Sequence, residues 1–265
     1  MKTNIKIIFG CLLAVSLATV AYGCKGKASN SDNGADTVAT AKPVGPSFNA
    51  DSAYAFTAAQ CDFGPRVMNS AAHDKCGKWI VEKFKEYGCD VQEQKADLKA
   101  YDGTVLKSTN IIARFNPEAK KRILICAHWD SRPWADNDPD STNHKKPVMA
   151  ANDGASGVAV MLELARQLQA DKKLKVGVDF VCFDAEDWGI PRWETRYQDD
   201  GDSWALGAQY YAKNFPTAVK PQFGILLDMV GGEGAQFYRE GMSVQLAPDV
   251  VSRVWEAAKS AGYGS

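Results

Sequence analysis

Residues 178–187 read VDFVCFDAED, a run of apolar, β-favouring residues that ends in a cluster of acids. Two similar runs lie on either side of it along the chain, RILICAHWD at 122–130 and FGILLD at 223–228. Short and nearly continuous apolar runs are typical of strands that are buried on both faces of a parallel sheet. We therefore predict buried strands over 122–127, 178–183 and 223–227.

Helical patterns separate these runs. Gly154 to Ala170 places its apolar residues on one face of a long helix, and Trp204 to Asn214 predicts a shorter helix. The remaining predicted elements are two helices and two short strands, at Ala71 to Tyr87, Asp249 to Gly262, 91–94 and 108–115. Strands that alternate with helices predict an α/β fold, a three-layer sandwich with a mostly parallel central sheet and helices on both faces.

Acidic or imidazole side chains follow all three predicted strands. His128 follows the first strand, and Glu186 and Asp187 follow the second. Asp228 follows the third strand, and Asp153 lies where the long helix begins. In an open α/β sheet, ligands bind at the carboxyl ends of the strands, so we expect these side chains to converge. Carboxylates with one imidazole suit zinc with an open coordination position.

Each of these residues, taken alone, also has a structural explanation. Asp153 could cap its helix, and Asp228 could be a turn residue at a strand end. His128 could be a hydrogen-bonded histidine at the rim. The pair Glu186-Asp187 could belong to a solvated loop, although an apolar Trp follows it directly. Their joint occurrence at three strand ends favours a metal site.

Charge and aromatic content narrow the classes of function. The chain of 265 residues has a net charge of −1 and no run of Lys or Arg that would track a phosphate backbone, so we expect no nucleic-acid partner. The tryptophans in or beside the site motifs are Trp129, Trp134, Trp188, Trp193 and Trp204. They could pack in the core and in loops, or they could wall a small, water-poor pocket. The segment 190–202 is expected to lie over the mouth of that pocket, and the acidic residues 136–140 are interpreted as a turn-rich loop.

The amino-terminal residues predict export. Lys2 and Lys6 precede the apolar run 7–20, which is too short for a comfortable membrane span. Small residues and then Cys24 follow, which resembles a bacterial lipoprotein signal with Cys24 as the lipidated residue; simple secretion with cleavage near Gly23 is the alternative. The predicted segments are a signal peptide at 1–23, a flexible linker at 24–47 and a catalytic domain at 48–265. The lipid would anchor the protein to a bacterial membrane, and the absence of an acidic run after Cys24 favours the periplasmic side.

Five cysteines follow the predicted signal. Cys126 and Cys182 lie inside apolar runs and are expected to be core residues. A bridge among Cys61, Cys76 and Cys89 is compatible with export, and the odd number leaves at least one free thiol.

Several ordered motifs together resemble the zinc exopeptidase family M28. They are AHWDSRPWADND, PVMAANDGASGVAVMLELARQL, FVCFDAEDWG, DSWALGAQYYA and ILLDMVG. Within that family they are most similar to the glutaminyl-peptide cyclotransferases, and the likeness runs from about Phe63 to Gly231. The resemblance implies a zinc exopeptidase-like fold, a Zn²⁺ cofactor and peptide or protein amino termini as substrate.

The resemblance also implies roles for individual residues. Asp153 and Asp187 match zinc ligands, Glu186 matches the general acid/base, and Asp228 matches a second catalytic carboxylate. His128 and Asp228 match positions that bind a second metal ion in the aminopeptidases. The pair here is Glu-Asp where Glu-Glu is familiar, which shortens one ligand by a methylene.

The family supplies one more ligand, a histidine downstream of the position of Asp228. The three histidines of this chain, His73, His128 and His144, all precede Asp153, so the sequence is expected to be incomplete at its carboxyl end.

Two enzymes share this pattern of residues. A cyclotransferase closes an amino-terminal glutamine on its own amine and releases ammonia, whereas an aminopeptidase uses water to cut a peptide bond. The closer motif likeness and the tryptophans favour the cyclotransferase. A lipoprotein that binds metal or peptide without catalysis is a third reading, which the presence of Glu186 disfavours.

Overall fold

The computed structural model describes residues 45–170, 174–198 and 201–263. The predicted signal peptide, Cys24 and the linker as far as residue 44 lie outside the described residues. Within the described ranges, no helix is both long and apolar enough to cross a membrane.

The described residues form one five-stranded sheet. Its strands are β1 (Asp90–Lys99), β2 (Val105–Phe115), β3 (Arg122–His128), β4 (Gly177–Phe183) and β5 (Gly224–Leu226). The spatial order is β1-β2-β4-β3-β5. Strand β3 pairs in parallel with both β4 and β5, while β2 pairs antiparallel with β1 and with β4. The sheet is therefore mixed, but the three strands that precede the candidate site residues are parallel and end at one edge.

Helices connect and flank these strands. They are α1 (Ala50–Asp62), α2 (Ala71–Glu86), α3 (Ser156–Ala170), α4 (Leu206–Lys213), α5 (Gly241–Leu246) and α6 (Pro248–Ala258). Helix α2 begins at the N-cap Ser70, whose side chain accepts a hydrogen bond from His73 N. One wide turn, Ala151–Ala155, precedes α3 and carries Asp153, so the regular helix begins two residues later than the sequence predicts.

Both faces of the sheet are covered, as the continuous apolar runs predict. Along β4, Phe180 and Cys182 pack against α2 and α3, whereas Val181 points to the other face and packs with Tyr211 of α4. Alternate residues of one strand thus enter two different cores, which explains why the run lacks polar alternation. The α/β fold with helices on both faces is confirmed.

The cysteines of the folded part form no bridge in the described structure: Cys61, Cys76, Cys89, Cys126 and Cys182 are all free. Burial raises the pKa of Cys76, Cys89 and Cys126 to about 12, so these thiols stay protonated and unreactive.

Candidate active site

The candidate site lies where β3, β4 and β5 end. His128 is the last residue of β3, Glu186 and Asp187 follow β4, and Asp228 follows β5. The backbone turns sharply here, because Ala150, Ala185 and Met229 all have positive φ angles of 49° to 55°. Left-handed backbone is uncommon for residues with a side chain and clusters at functional sites.

His128 is at the centre of the group. Its Nε2 lies 2.9 Å from Oδ1 of Asp153 and 3.7 Å from Oδ1 of Asp228. Its Nδ1 lies 3.2 Å from Oε2 of Glu186. The His128 side chain is 3% exposed, whereas those of Asp153 and Asp228 are 47% and 44% exposed. One side of the cluster is therefore open to a small molecule and the other is closed by protein.

Three of these residues could hold a metal ion. His128, Asp153 and Asp187 each offer a ligand atom, and these atoms lie within 4.8 Å of one another. Two ligands of a tetrahedral zinc ion are about 3.4 Å apart, so a small contraction would close the group around the ion. The buried Nδ1 of His128 makes no hydrogen bond, so one ring nitrogen of the group has no hydrogen-bond partner. The donor set, one imidazole and two carboxylates with an open side, fits a catalytic zinc site.

The predicted ligands Asp153 and Asp187 are thus brought together, and His128 joins them. Asp228 lies beside His128 but outside this group of three.

The pKa values of the site residues are shifted because several acidic side chains lie close together in a buried place. Burial and neighbouring carboxylates raise the pKa of Glu186 to about 7 and that of Asp187 to about 8. Burial lowers the pKa of His128, but the neighbouring carboxylates of Asp130, Asp153 and Asp228 outweigh it and raise the pKa well above the ordinary value. A bound cation would stabilise the ionised carboxylates in place of the imidazolium.

Asp130 is a site residue to which the sequence assigns no role. It is fully buried, and its two carboxylate oxygens accept hydrogen bonds of 3.1 Å from the backbone N–H groups of Glu186 and Asp187. It therefore fixes the turn that carries both residues. The sequence signal for Asp130 is its position two residues after His128. Side chains alternate between the two faces of an extended chain, so Asp130 and His128 are expected on the same side of the strand end.

Two arginines brace the loops behind the cluster. The fully buried Arg66 donates to the carbonyl groups of Trp129, Met149 and Ala150, and thus joins the loop after β3 to the turn before α3. Arg132 donates to the Asp187 carbonyl at 3.0 Å and forms two bonds of 2.6 Å with Asp136. Asp136 also accepts a bond from Arg192 N, so the acidic loop serves as a structural anchor for segment 190–198.

The tryptophans divide between core and rim. Trp129 is buried and stacks on His73 with ring centroids 4.1 Å apart, so it is a core residue. Trp134 packs edge-on against Trp188, which directly follows Asp187, and against Trp193. These three rings form a cluster that we call the indole wall; Trp188 joins it to Asp187 in the chain, and Trp193 belongs to segment 190–198. That this segment sets substrate access stays a prediction.

The family of the chain follows from comparison with known proteins. Residues 110–264 match peptidase family M28, a stretch that contains His128, Asp153, Glu186, Asp187 and Asp228. The chain belongs to peptidase family M28.

Relatives within the family carry two kinds of name. A glutaminyl cyclase from Bacteroides thetaiotaomicron, solved with N-acetylhistamine, is 49% identical with a TM-score of 0.81, covering 83% of this chain and 75% of that chain. A leucine aminopeptidase precursor from the same organism is also 49% identical, with a TM-score of 0.81 and coverage of 84% and 76%. The Drosophila melanogaster glutaminyl-peptide cyclotransferase is 27% identical over 181 residues, which are 66% of this chain. The match spans 47% of that relative's length, so the chain corresponds to about half of it.

Proposed function

We propose that this protein is a zinc-dependent glutaminyl-peptide cyclotransferase, which converts the amino-terminal glutamine of a peptide to pyroglutamate and releases ammonia. The main support for this proposal is the position of the Glu186 side chain. Its carboxylate lies beside the metal-ligand group, 3.2 Å from His128, in a chain that is 49% identical to a glutaminyl cyclase. A base next to a Lewis-acid site is what ring closure on an amide carbonyl requires.

Asp153, Asp187 and His128 would hold the zinc ion. When bound, zinc polarises the side-chain carbonyl of the substrate glutamine.

Glu186 carries the proton in the proposed reaction. It accepts a proton from the substrate's α-amino group as that nitrogen bonds to the side-chain amide carbon. It then delivers the proton to the amide nitrogen as the old carbon–nitrogen bond breaks and ammonia leaves. A pKa of about 7 suits a group that must both take and give a proton near neutral pH.

Asp228 is placed to hold the substrate's amine. Its side chain is 44% exposed, lies 3.7 Å from Nε2 of His128, and has a lowered pKa because of that histidine. It therefore stays ionised and can accept a hydrogen bond from the amine on the open side of the cluster.

The indole wall of Trp134, Trp188 and Trp193 supports cyclisation over hydrolysis. Ring closure consumes no water, and apolar side chains that follow Asp187 in the chain would lower the amount of water near the reacting groups.

An aminopeptidase is the second candidate, because the leucine aminopeptidase precursor matches this chain as well as the cyclase does. The full-length, zinc-loaded protein should be assayed with glutaminyl and leucyl peptides side by side. Ammonia release without peptide cleavage is the expected result. Free leucine would select the aminopeptidase, and zinc binding without either product would select a binding protein.

We propose also that the protein is an exported lipoprotein, anchored through Cys24 and facing the periplasm. Its support is the amino-terminal pattern of two lysines, an apolar run and small residues before Cys24. Labelling of cells with a fatty-acid analogue should mark the natural sequence and the control Cys11→Ala, and should fail for Cys24→Ala. Labelling of Cys24→Ala would contradict the proposal.

A further inference from the structure

The loop that carries Asp228 rests on the turn that carries Asp153. Val230 N donates a hydrogen bond of 3.1 Å to Oγ of Ser156, and Gly231 N donates one of 2.8 Å to Oδ1 of Asn152. The Ser156 hydroxyl in turn donates to the Asn152 carbonyl at 2.6 Å. We call this group of three hydrogen bonds the serine-asparagine clamp.

The two segments approach so closely that glycine is required on both. A Cβ atom on Gly157 would lie 2.3 Å from the carbonyl oxygen of Leu227, and one on Gly231 would lie 2.9 Å from Cβ of Ser156. Side chains at these positions would push the loop away from α3, so the clamp needs both glycines in order to form.

The sheet itself gives the Asp228 loop little support. Strand β5 has three residues and pairs with β3 on one side within the described residues, and its ladder ends near Leu227. Beyond it the chain turns through Met229, with φ of 49°. The clamp holds the backbone on the far side of this turn.

We propose that Ser156 and Asn152 are positioning residues, which fix the carboxylate of Asp228 relative to the metal ligand Asp153. They accept bonds from backbone N–H groups two and three residues after Asp228, and they flank Asp153 in sequence at positions −1 and +3. This inference rests on the proposed function, in which Asp228 holds the substrate's amine.

Replacement of the hydroxyl tests the clamp. Ser156→Ala should lower kcat by about 10- to 100-fold, as expected for a misplaced reacting group, with zinc content unchanged. The matched control is Thr57→Ala on α1, which also removes a hydroxyl that donates to the carbonyl four residues earlier. The control should keep its kcat. Asn152→Ala removes the other hydrogen-bond acceptor, at a half-buried position. It is the second test variant if Ser156→Ala fails to fold.

A double-mutant cycle separates positioning from general damage. In an Asp228→Asn background, Ser156→Ala should lower kcat no further, because the group that it positions is already lost. Equal losses in both backgrounds would overturn the proposal.

Amide hydrogen exchange gives a readout that does not depend on the reaction. Val230 and Gly231 should exchange faster in Ser156→Ala than in the unsubstituted protein, while the β3 amides keep their protection. Unchanged exchange at these two amides would overturn the clamp even if activity fell. A protein that releases no ammonia from glutaminyl peptides would instead contradict the proposed function, and the exchange experiment would still test the clamp.

Discussion

Nδ1 of His128 lies 3.2 Å from Oε2 of Glu186, yet this buried nitrogen makes no hydrogen bond. The carboxylate of Glu186 lies next to the metal-ligand group and is not a member of it. A glutamate in that position can exchange protons with a bound substrate, whereas Asp153 and Asp187 would be occupied by the metal ion.

Glu186→Gln should separate catalysis from metal binding. Glutamine keeps the shape of the side chain but cannot carry the proton, so kcat should fall by about 10²- to 10⁴-fold. Zinc content, measured by elemental analysis, should not change. The control is Glu82→Gln on the exposed face of α2, which should retain full activity. Full turnover by Glu186→Gln would show that the base lies elsewhere.

The metal-free protein should lose stability as pH rises. Glu186 and Asp187 have folded-state pKa values of about 7 and about 8, above their ordinary values near 4, so the folded state binds more protons between pH 4 and 8. Stability then decreases with pH across this window. The raised pKa of His128 acts in the same direction, because its favourable charge is lost on deprotonation.

Thermal unfolding with a chelator at pH 5 and pH 8 measures this dependence. Zinc should reverse it and stabilise the protein more at pH 8, because the ligands must be deprotonated to bind the ion. The double variant Glu186→Gln and Asp187→Asn should flatten the metal-free pH dependence. A metal-free protein that is more stable at pH 8 than at pH 5 would contradict the expectation.

The His73–Asp184 pair should carry much of the stability around the β4 turn. Both side chains are buried, Nε2 of His73 lies 2.9 Å from Oδ1 of Asp184, and Asp184 also accepts a bond from Ala185 N. His73→Leu leaves a buried carboxylate without its partner and should lower the free energy of unfolding by about 3–5 kcal/mol. Urea unfolding measures the loss. Asp184→Asn in the His73→Leu background should recover part of it, because the amide removes the buried charge and keeps an oxygen that accepts a backbone N–H bond. No recovery would argue against a charge effect.

Much of this arrangement could be predicted from the sequence, and the reason is topological. Parallel strands that are buried on both faces read as continuous apolar runs, so β3 and β4 are recognisable and their carboxyl ends must meet. The convergence of His128, Asp153 and Asp187 follows from that rule without any knowledge of distances.

Other features were not predictable because their signals are not local. Helix α1 has apolar residues but no clear stripe, and it is fixed by contacts such as that of Gln60 with the carbonyl of Ala155. Arg66 looks like a surface residue in sequence, and only the fold surrounds it with backbone carbonyls. The antiparallel β1–β2 pairing, which makes the sheet mixed, depends on a turn at 100–104 that the apolar runs do not report.

Gly157→Ala should damage the site through packing alone. Its Cβ atom would lie 2.3 Å from the Leu227 carbonyl oxygen, and the overlap should cost about 1–3 kcal/mol of unfolding free energy and move the Asp228 loop. Gly241→Ala is the matched control, since a Cβ there meets no atom within 4 Å and should change stability by less than about 0.5 kcal/mol. Equal effects of the two substitutions would contradict the close approach of the loop to α3.

Anomalous diffraction above the zinc absorption edge, from crystals of the zinc-loaded protein, tests the account most directly. We expect a peak about 2.0–2.2 Å from carboxylate oxygens of Asp153 and Asp187, with Glu186 beside it and outside the bonding distance. A cluster without zinc, or a zinc ion bound elsewhere with neither aspartate as a ligand, would contradict the central claim.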